Sequence, residues 1–273
     1  TITVPDPLPT PSQDAENLRK AFKGWGTDEK AIISILGHRN ADQRLKIRQT
    51  YHDSYEESLI DSLKSELSGD FGKAVTLWAL DPPERDAKLA REALVAVIVE
   101  IACASSPHHL IAVRQAYCSL FNCSLEEDIL RKLLLALVSS YRYDRGEVDE
   151  NIANLEADKL HDAIVIWILS TRNKTQLKAT FNSYKQVYVK PIDQFLSLLQ
   201  TAVWCIETPE NHFAEVIRSS IVGLGTDEDS LTRAIVTRAE IDMLKIKEAY
   251  NKGSLVIGDT SGDYKDFLLT LLG

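Results

Sequence analysis

Apolar positions in this chain recur three and four residues apart, and no stretch alternates residue by residue as a half-buried strand would. Phe71, Ala74, Val75, Trp78 and Ala79 fall at i, i+3, i+4, i+7 and i+8, one face of a helix running from Phe71 to Leu80. Asp81-Pro82-Pro83 stops it, because proline cannot continue the hydrogen-bond ladder. Ile32, Ile33, Ile35 and Leu36 form the buried side of another helix, Asp28 to Gly37. The same spacing predicts helices over Ala15 to Phe22, starting near Ser12 or Asp14, over about Ala41 to Ser54, and over about Glu56 to Leu67. Short helices in succession with no strand pattern make the fold class all-α.

The pattern then repeats. Tyr51, Tyr117, Tyr184 and Tyr250 lie 66, 67 and 66 residues apart. Upstream of each is a helix of one type: Ile32 to Leu36, Ile98 to Ala102, Val165 to Leu169, and Leu231 to Ile235. Three of these close on an arginine (Arg39, Arg172, Arg238), and Ser105 holds that place in the second. The chain therefore divides into a proline-rich lead-in, residues 1–13, and four repeats of five short helices, residues 14–87, 88–146, 147–207 and 208–273.

Composition narrows the function. At 273 residues with 44% apolar content the chain can bury a substantial core. A formal net charge of −9 argues against nucleic acid, and against anionic lipid unless something neutralises the repulsion. The longest apolar stretch, Ala93 to Ala104, is broken by Glu100 and too short to span a bilayer. Thr1-Ile2-Thr3-Val4-Pro5 has neither the basic start nor the apolar run of a signal peptide. Cys103, Cys118, Cys123 and Cys205 are irregularly spaced, mostly inside apolar helical patterns, as expected of reduced thiols in a cytosolic protein.

One motif occurs twice. Phe22-Lys23-Gly24-Trp25-Gly26-Thr27-Asp28-Glu29 returns as Ile221-Val222-Gly223-Leu224-Gly225-Thr226-Asp227-Glu228, 199 residues on. Each copy sits between two helices, where its glycines permit positive φ and let successive carbonyls turn towards one point. Thr27 and Thr226 are good N-caps, and the acids behind them suit the positive end of the next helix. Such a turn needs only a carboxylate from elsewhere to hold a hard cation. Ser65-Glu66-Leu67-Ser68-Gly69-Asp70-Phe71 and Gly258-Asp259-Thr260-Ser261-Gly262-Asp263-Tyr264 share a Ser-Gly-Asp-aromatic frame that aligns Glu66 with Asp259.

A Gly-x-Gly-Thr turn paired with an acid 40 residues on, in four five-helix repeats, resembles the annexin family over nearly the whole chain. The Gly-Trp-Gly-Thr variant, the degenerate middle repeats and the short lead-in look most like a plant-type annexin. The resemblance implies a slightly curved disc with the Gly-x-Gly-Thr loops on its convex face. It implies calcium ligands too: the carbonyls of Phe22, Gly24 and Gly26 with bidentate Glu66, and those of Ile221, Gly223 and Gly225 with Asp259. A minor site from the Thr27 carbonyl and Glu29 is implied in the same way. Calcium takes about six to eight oxygens, so each set leaves room for water or a lipid phosphate. The function so implied is calcium-dependent, reversible binding to anionic phospholipid membranes by a cytoplasmic protein recruited when calcium rises. Calcium bridging like charges reconciles this partner with the net charge. Trp25 and Leu224, in the x position of each loop, are the expected membrane contacts, since indole favours the headgroup interface. Cytoskeletal partners and self-association leave no readable mark.

The chain departs from the family pattern in places. Leu89 to Leu94 runs straight into Val95, and Leu160 to Ile164 into Val165, with no Gly-x-Gly-Thr turn between. Both middle repeats read as lacking loop residues, with similar compressions at Leu130-Arg131, Gln194-Phe195 and Ser254-Leu255. In the last repeat the spacing from Gly225 to Asp259 is 34 residues against 40 from Gly26 to Glu66, which weakens the second site. Rival readings rest on single residues. Asp259-Thr260-Ser261-Gly262 matches a GTPase Asp-x-x-Gly, but no Gly-x4-Gly-Lys-Ser/Thr loop accompanies it. His38 resembles the histidine tied to a disputed peroxidase activity in plant relatives, yet a histidine at a helix C-terminus commonly serves as a cap. Cys103 and Cys205 match paired cysteines suspected of redox roles, and Glu100 and Arg233 match helices that line a polar channel in the fold. A binding protein, not an enzyme or a calcium-permeable channel, is the expected function.

Overall fold

The computed structural model describes residues 1–23, 26–92, 95–129, 197–222, 225–250 and 260–273. They form helices α1 (Pro11–Ala21), α2 (Glu29–Leu36), α3 (Ala41–Tyr55), α4 (Leu59–Glu66), α5 (Gly69–Ala79), α6 (Pro82–Glu92), α7 (Val95–Ala104) and α8 (Pro107–Phe121). After these come α9 (Ser197–Glu207), α10 (Pro209–Ile221), α11 (Glu228–Arg238), α12 (Met243–Ala249) and α13 (Gly262–Leu272), with no strand among the described residues. Contacts gather residues 1–89 with 210–273 in one unit and residues 90–209 in another.

Local chemistry sets the helix starts. Thr10 and Gln13 form a reciprocal capping box on α1, with Pro11 in the first turn where its missing N–H costs nothing. Asn40 and Gln43 do the same for α3. Several expected starts move: α1 begins at Pro11 and α5 at Gly69, each slightly earlier than expected. α4 begins at Leu59 rather than near Glu56, because Glu56 turns left-handed (φ 54°) to end α3 and Ser58 caps the next helix. The cap of α2 is Asp28, not Thr27: the Asp28 carboxylate accepts from the Ala31 N–H at 3.0 Å, and Asp227 does the same for Ser230 at 3.1 Å.

In the first unit α1 packs on α2 and α3, and α5 packs on α2, α4, α11 and α13. Leu18, Ile32, Leu36, Tyr51, Leu63 and Trp78 from the first repeat are wholly buried, as are Leu231, Ile235, Phe267 and Leu271 from the last. Trp78 donates its Nε1–H to the Leu36 carbonyl at 2.7 Å, and the Arg44 guanidinium lies 3.6 Å from its ring centroid. That satisfies the indole and gives a buried cation an aromatic face. Burial still pulls the Arg44 pKa down, against its hydrogen bond to the Glu240 carboxylate, which raises it. Glu240 also accepts from the Ala41 N–H at 2.7 Å, so the last repeat supplies a carboxylate to the start of α3.

The arginine that closes the second helix of each repeat shows how the copies have diverged. Arg39 makes two bonds to buried Asp14. In the second repeat Ser105 replaces the arginine, and Asp86 is met instead by Arg85, its chain neighbour, at 2.9 Å. In the last repeat Phe213 stands where Asp14 stands, so Arg238 lies 4.7 Å over that ring and pairs with Asp242 on its own side. A buried charge is kept only with a partner, and each of these three repeats finds a different one.

In the second unit α7 packs on α9. Arg91 reaches Asp128 at 2.9 Å and stacks over Phe121, while Tyr117 donates to Asp128 at 2.7 Å. This repeats the cluster of Arg19, Tyr51, Tyr55 and Glu57 in the first unit. α6 ends at Glu92 and α7 begins at Val95, whereas seven residues separate Ala21 from Glu29. No Gly-x-Gly-Thr turn fits between α6 and α7.

Candidate metal centre

The first candidate loop leaves α1 at Phe22, whose ring packs edge-on against Tyr51 at 6.3 Å. It closes where the Asp28 N–H meets the Ala21 carbonyl at 3.0 Å. Gly26 inside it has φ +94°, a conformation that side chains other than glycine's rarely adopt. A Cβ built there would meet no atom within 4 Å, so this face of the loop is open.

Glu66, the last residue of α4, comes from the other side. The chain continues through buried Leu67, whose N–H bonds to Leu63 at 2.9 Å. Gly72 of α5 presses on Leu67 so closely that a Cβ would stand 2.9 Å from its carbonyl carbon. Glu66 is thereby held at an exposed corner whose backbone is anchored. Because Asp28 does the capping, the Thr27 hydroxyl is left to face Glu66. It lies 3.3 Å from Oε2 and 3.4 Å from the backbone oxygen. Thr27 and Glu66 are thus brought together, and Glu29 is the first residue of α2.

The described residues of the second loop match those of the first. Asp227 N–H meets the Ser220 carbonyl at 2.7 Å, and Gly225 has φ +98°. Asp227 has φ −90° and ψ 86°, against −90° and 85° at Asp28. Ser261 and Ser68 begin α13 and α5 with nearly equal dihedrals. Ile221 ends α10. Gly24, Trp25, Gly223, Leu224 and Asp259 lie outside the described residues, as do Arg172, Trp167 and Tyr184.

The start of α5 packs beside the start of α13. Ser68, Asp70 and Phe71 from the start of α5 line a cavity of about 330 Å³ with Glu228, Thr260, Ser261, Asp263 and Tyr264. The Tyr264 hydroxyl sits 2.8 Å from Thr232 and donates to the Glu228 carbonyl at 3.2 Å; burial pushes its pKa up to about 12. Lys73 pairs with Asp229 across the same seam.

A cation here would meet hard oxygens only, backbone carbonyls from a glycine-bearing turn and one carboxylate, the donor set calcium takes. Among the described residues no three His, Cys, Asp or Glu side chains converge on one point. One apolar residue escaped the sequence reading: Val222, beside Gly223, is 62% exposed. Its signal was its place, since the first loop has Lys23 there.

The other candidates lie elsewhere. His38 stands at the opposite end of α2 from Asp28, its Nδ1 2.8 Å from the Thr3 carbonyl, so the lead-in segment fixes the ring. None of the four cysteines is in a disulfide; Cys205 is buried, Cys103 and Cys123 partly buried, and Cys118 exposed. Glu100 is buried, and burial pulls the Arg233 guanidinium down to about 10. Among the described residues no helix is long and apolar enough to cross a membrane.

Comparison with known proteins bears on these features together. A family model described as Annexin matches residues 13–78 and 212–271, the stretches that carry both loops. Annexin D3 of Arabidopsis thaliana is 50% identical over 316 aligned positions, covering 100% of this chain and 98% of its own. Those 316 positions against 273 residues mean that the relative carries residues this chain lacks. A solved annexin III superposes with a TM-score of 0.81 at 33% identity, covering 99% of this chain and 95% of its own. A calcium-bound annexin (Sm)1 superposes at 0.73 with 30% identity, covering 97% and 90%.

Proposed function

The chain belongs to the annexin family, with the annexin fold and about half its residues shared with plant members, and on that premise we propose that its own loops 22–28 and 221–227 are what bind calcium and anionic phospholipid. Calcium binding and calcium-dependent phospholipid binding belong to the family in general. The assignment to residues is ours. The carbonyls of Phe22, Gly24 and Gly26 with Glu66 form the first site, those of Ile221, Gly223 and Gly225 with Asp259 the second, and the Thr27 carbonyl with Glu29 a minor one. The observation that carries it is the Glu66 carboxylate standing 3.3 Å from Thr27, beside the open face of Gly26.

Bound calcium would supply the positive charge that joins this acidic chain to an acidic membrane. The chain's own part is to fix the carbonyls by closing the loop through Asp28 and Ala21, and to present one carboxylate from an anchored corner. One carboxylate per site gives weak calcium affinity until a lipid phosphate completes the shell, so calcium and membrane bind cooperatively. Trp25, Leu224 and Val222 enter the headgroup region. The protein is cytoplasmic and peripheral to the membrane when calcium rises, and the four repeats keep the boundaries given above. A binding role, not an enzymatic one, suits His38, whose ring is engaged by the lead-in.

The test is co-sedimentation of the whole protein with phosphatidylserine-containing vesicles across a calcium titration, with chelator reversal. Glu66→Gln is expected to raise the calcium requirement and leave the melting temperature in chelator unchanged. Equal curves for wild type and variant would remove Glu66 from the site.

A further inference from the structure

We propose that the Thr27 hydroxyl is a positioning group for the calcium carboxylate, holding Glu66 over the loop before any ion arrives; this rests on the calcium assignment above. Three observations carry it. First, Thr27 is relieved of the capping role its type usually plays, because Asp28 accepts from the Ala31 N–H. Second, the freed hydroxyl faces Glu66 across 39 residues of sequence, 3.3 Å from Oε2 and 3.4 Å from the backbone oxygen. Third, Gly26 next to it carries no side chain, and a Cβ there would meet no atom within 4 Å, so nothing crowds the carboxylate from that residue.

The geometry specifies a guide, not a lock. One hydroxyl proton serves two acceptors, and both distances exceed the usual 2.7–2.8 Å or so of an O–H···O bond. The carboxylate is biased towards the loop and remains able to turn. A carboxylate has roughly four lone-pair sites, so Glu66 can meet a cation with both oxygens and still accept from Thr27. The bond therefore lowers the entropy cost of binding without competing with the ion. A β-branched residue suits the task, since its χ1 is stiff and its hydroxyl direction is set by the backbone. Thr27 touches neither ion nor lipid through this hydroxyl. It acts through Glu66.

The experiment compares wild type with Thr27→Val, Thr27→Ser, Glu66→Gln and the Thr27→Val/Glu66→Gln double variant, each as the full chain. The first readout is the calcium midpoint for binding vesicles of phosphatidylserine and phosphatidylcholine. The second is the ¹³C resonance of the Glu66 carboxyl in calcium-free protein, with melting in chelator as a check on folding and Thr27→Ala as substitute should valine perturb it. Thr27→Val is expected to raise the midpoint about three- to tenfold, the range of one modest hydrogen bond. Thr27→Ser should restore most of it. The valine change should add nothing to Glu66→Gln, and the calcium-free resonance should move with valine and return with serine. A midpoint unmoved by valine while Glu66→Gln shifts it, or an equal valine effect on the Glu66→Gln background, overturns the positioning role and leaves the site standing. An unmoved Glu66 resonance overturns it as well. Should Glu66→Gln itself do nothing, the site assignment fails and the role of Thr27 fails with it.

Discussion

Arg39 and Asp14 face each other side-on in the first unit, each about 3% exposed, with Arg39 Nε 2.7 Å from Oδ2 and Nη2 2.8 Å from Oδ1. The pair ties α1 to the end of α2, the two helices between which the first loop hangs. Removing one charge strands the other. Asp14→Asn is therefore expected to cost about 3–5 kcal/mol, whereas replacing both partners by apolar residues of similar volume should cost much less. Urea unfolding of the two variants checks this, and equal losses would mean that packing, not charge, sets the cost.

Much of this was legible in the sequence, and the failures have physical reasons. α2 and α5 follow from the apolar faces of Ile32 to Leu36 and Phe71 to Ala79, since burying those stripes outweighs any local preference. The start of α4 differs from the sequence expectation because Glu56 takes a left-handed turn, rare for a residue other than glycine, and Glu57 is held by Arg19, distant in sequence. Thr27 and Asp28 are both good caps side by side. Only the loop-closing bond from Asp28 to Ala21 decides between them, and by deciding it frees Thr27 for Glu66. Burial of Trp78 was readable from its helix face; Trp204, on a similar pattern, is only partly buried.

Acid should weaken the protein through His212. The ring is buried, and burial first, then the nearby charge of Arg238, pulls its pKa from 6.5 down to about 4. The unfolded chain takes up a proton near 6.5 that the folded protein refuses until about 4. The stability that neutral His212 contributes is thus full above about pH 6.5 and is lost as pH falls towards 4. At pH 5 the loss is on the order of 2 kcal/mol. Unfolding free energies at pH 7.5 and pH 5 should converge in His212→Gln relative to wild type; parallel losses would clear His212.

Val222 should help hold the membrane. An aliphatic side chain 62% exposed beside the loop proposed to bind lipid gains by entering the interface and loses nothing on the way. Val222→Ser should lower vesicle binding about two- to threefold at fixed calcium, and Val222→Asp more, without moving the melting temperature. An unchanged partition in both variants would place Val222 outside the contact.

Trp25 is the sharper probe of the same surface. It occupies the x of the first Gly-x-Gly-Thr, between glycines whose backbone is expected to face the ion, so its indole is expected to point away from the loop centre. Indole prefers the headgroup interface, where its ring is shielded and its N–H stays wet. Trp78 will not report on lipid, because it is wholly buried with its N–H on the Leu36 carbonyl and Arg44 against its face. Trp204 is partly buried on α9, away from either loop in sequence, and should contribute a constant background. Calcium with phosphatidylserine vesicles should therefore shift the emission to the blue, and Trp25→Ala should abolish most of that shift. Calcium alone should move it little, since the ring is carried to the interface only when a lipid phosphate completes the shell. A blue shift that survives in Trp25→Ala would mean that Trp25 folds back on its own helices and that another part of the loop meets the membrane.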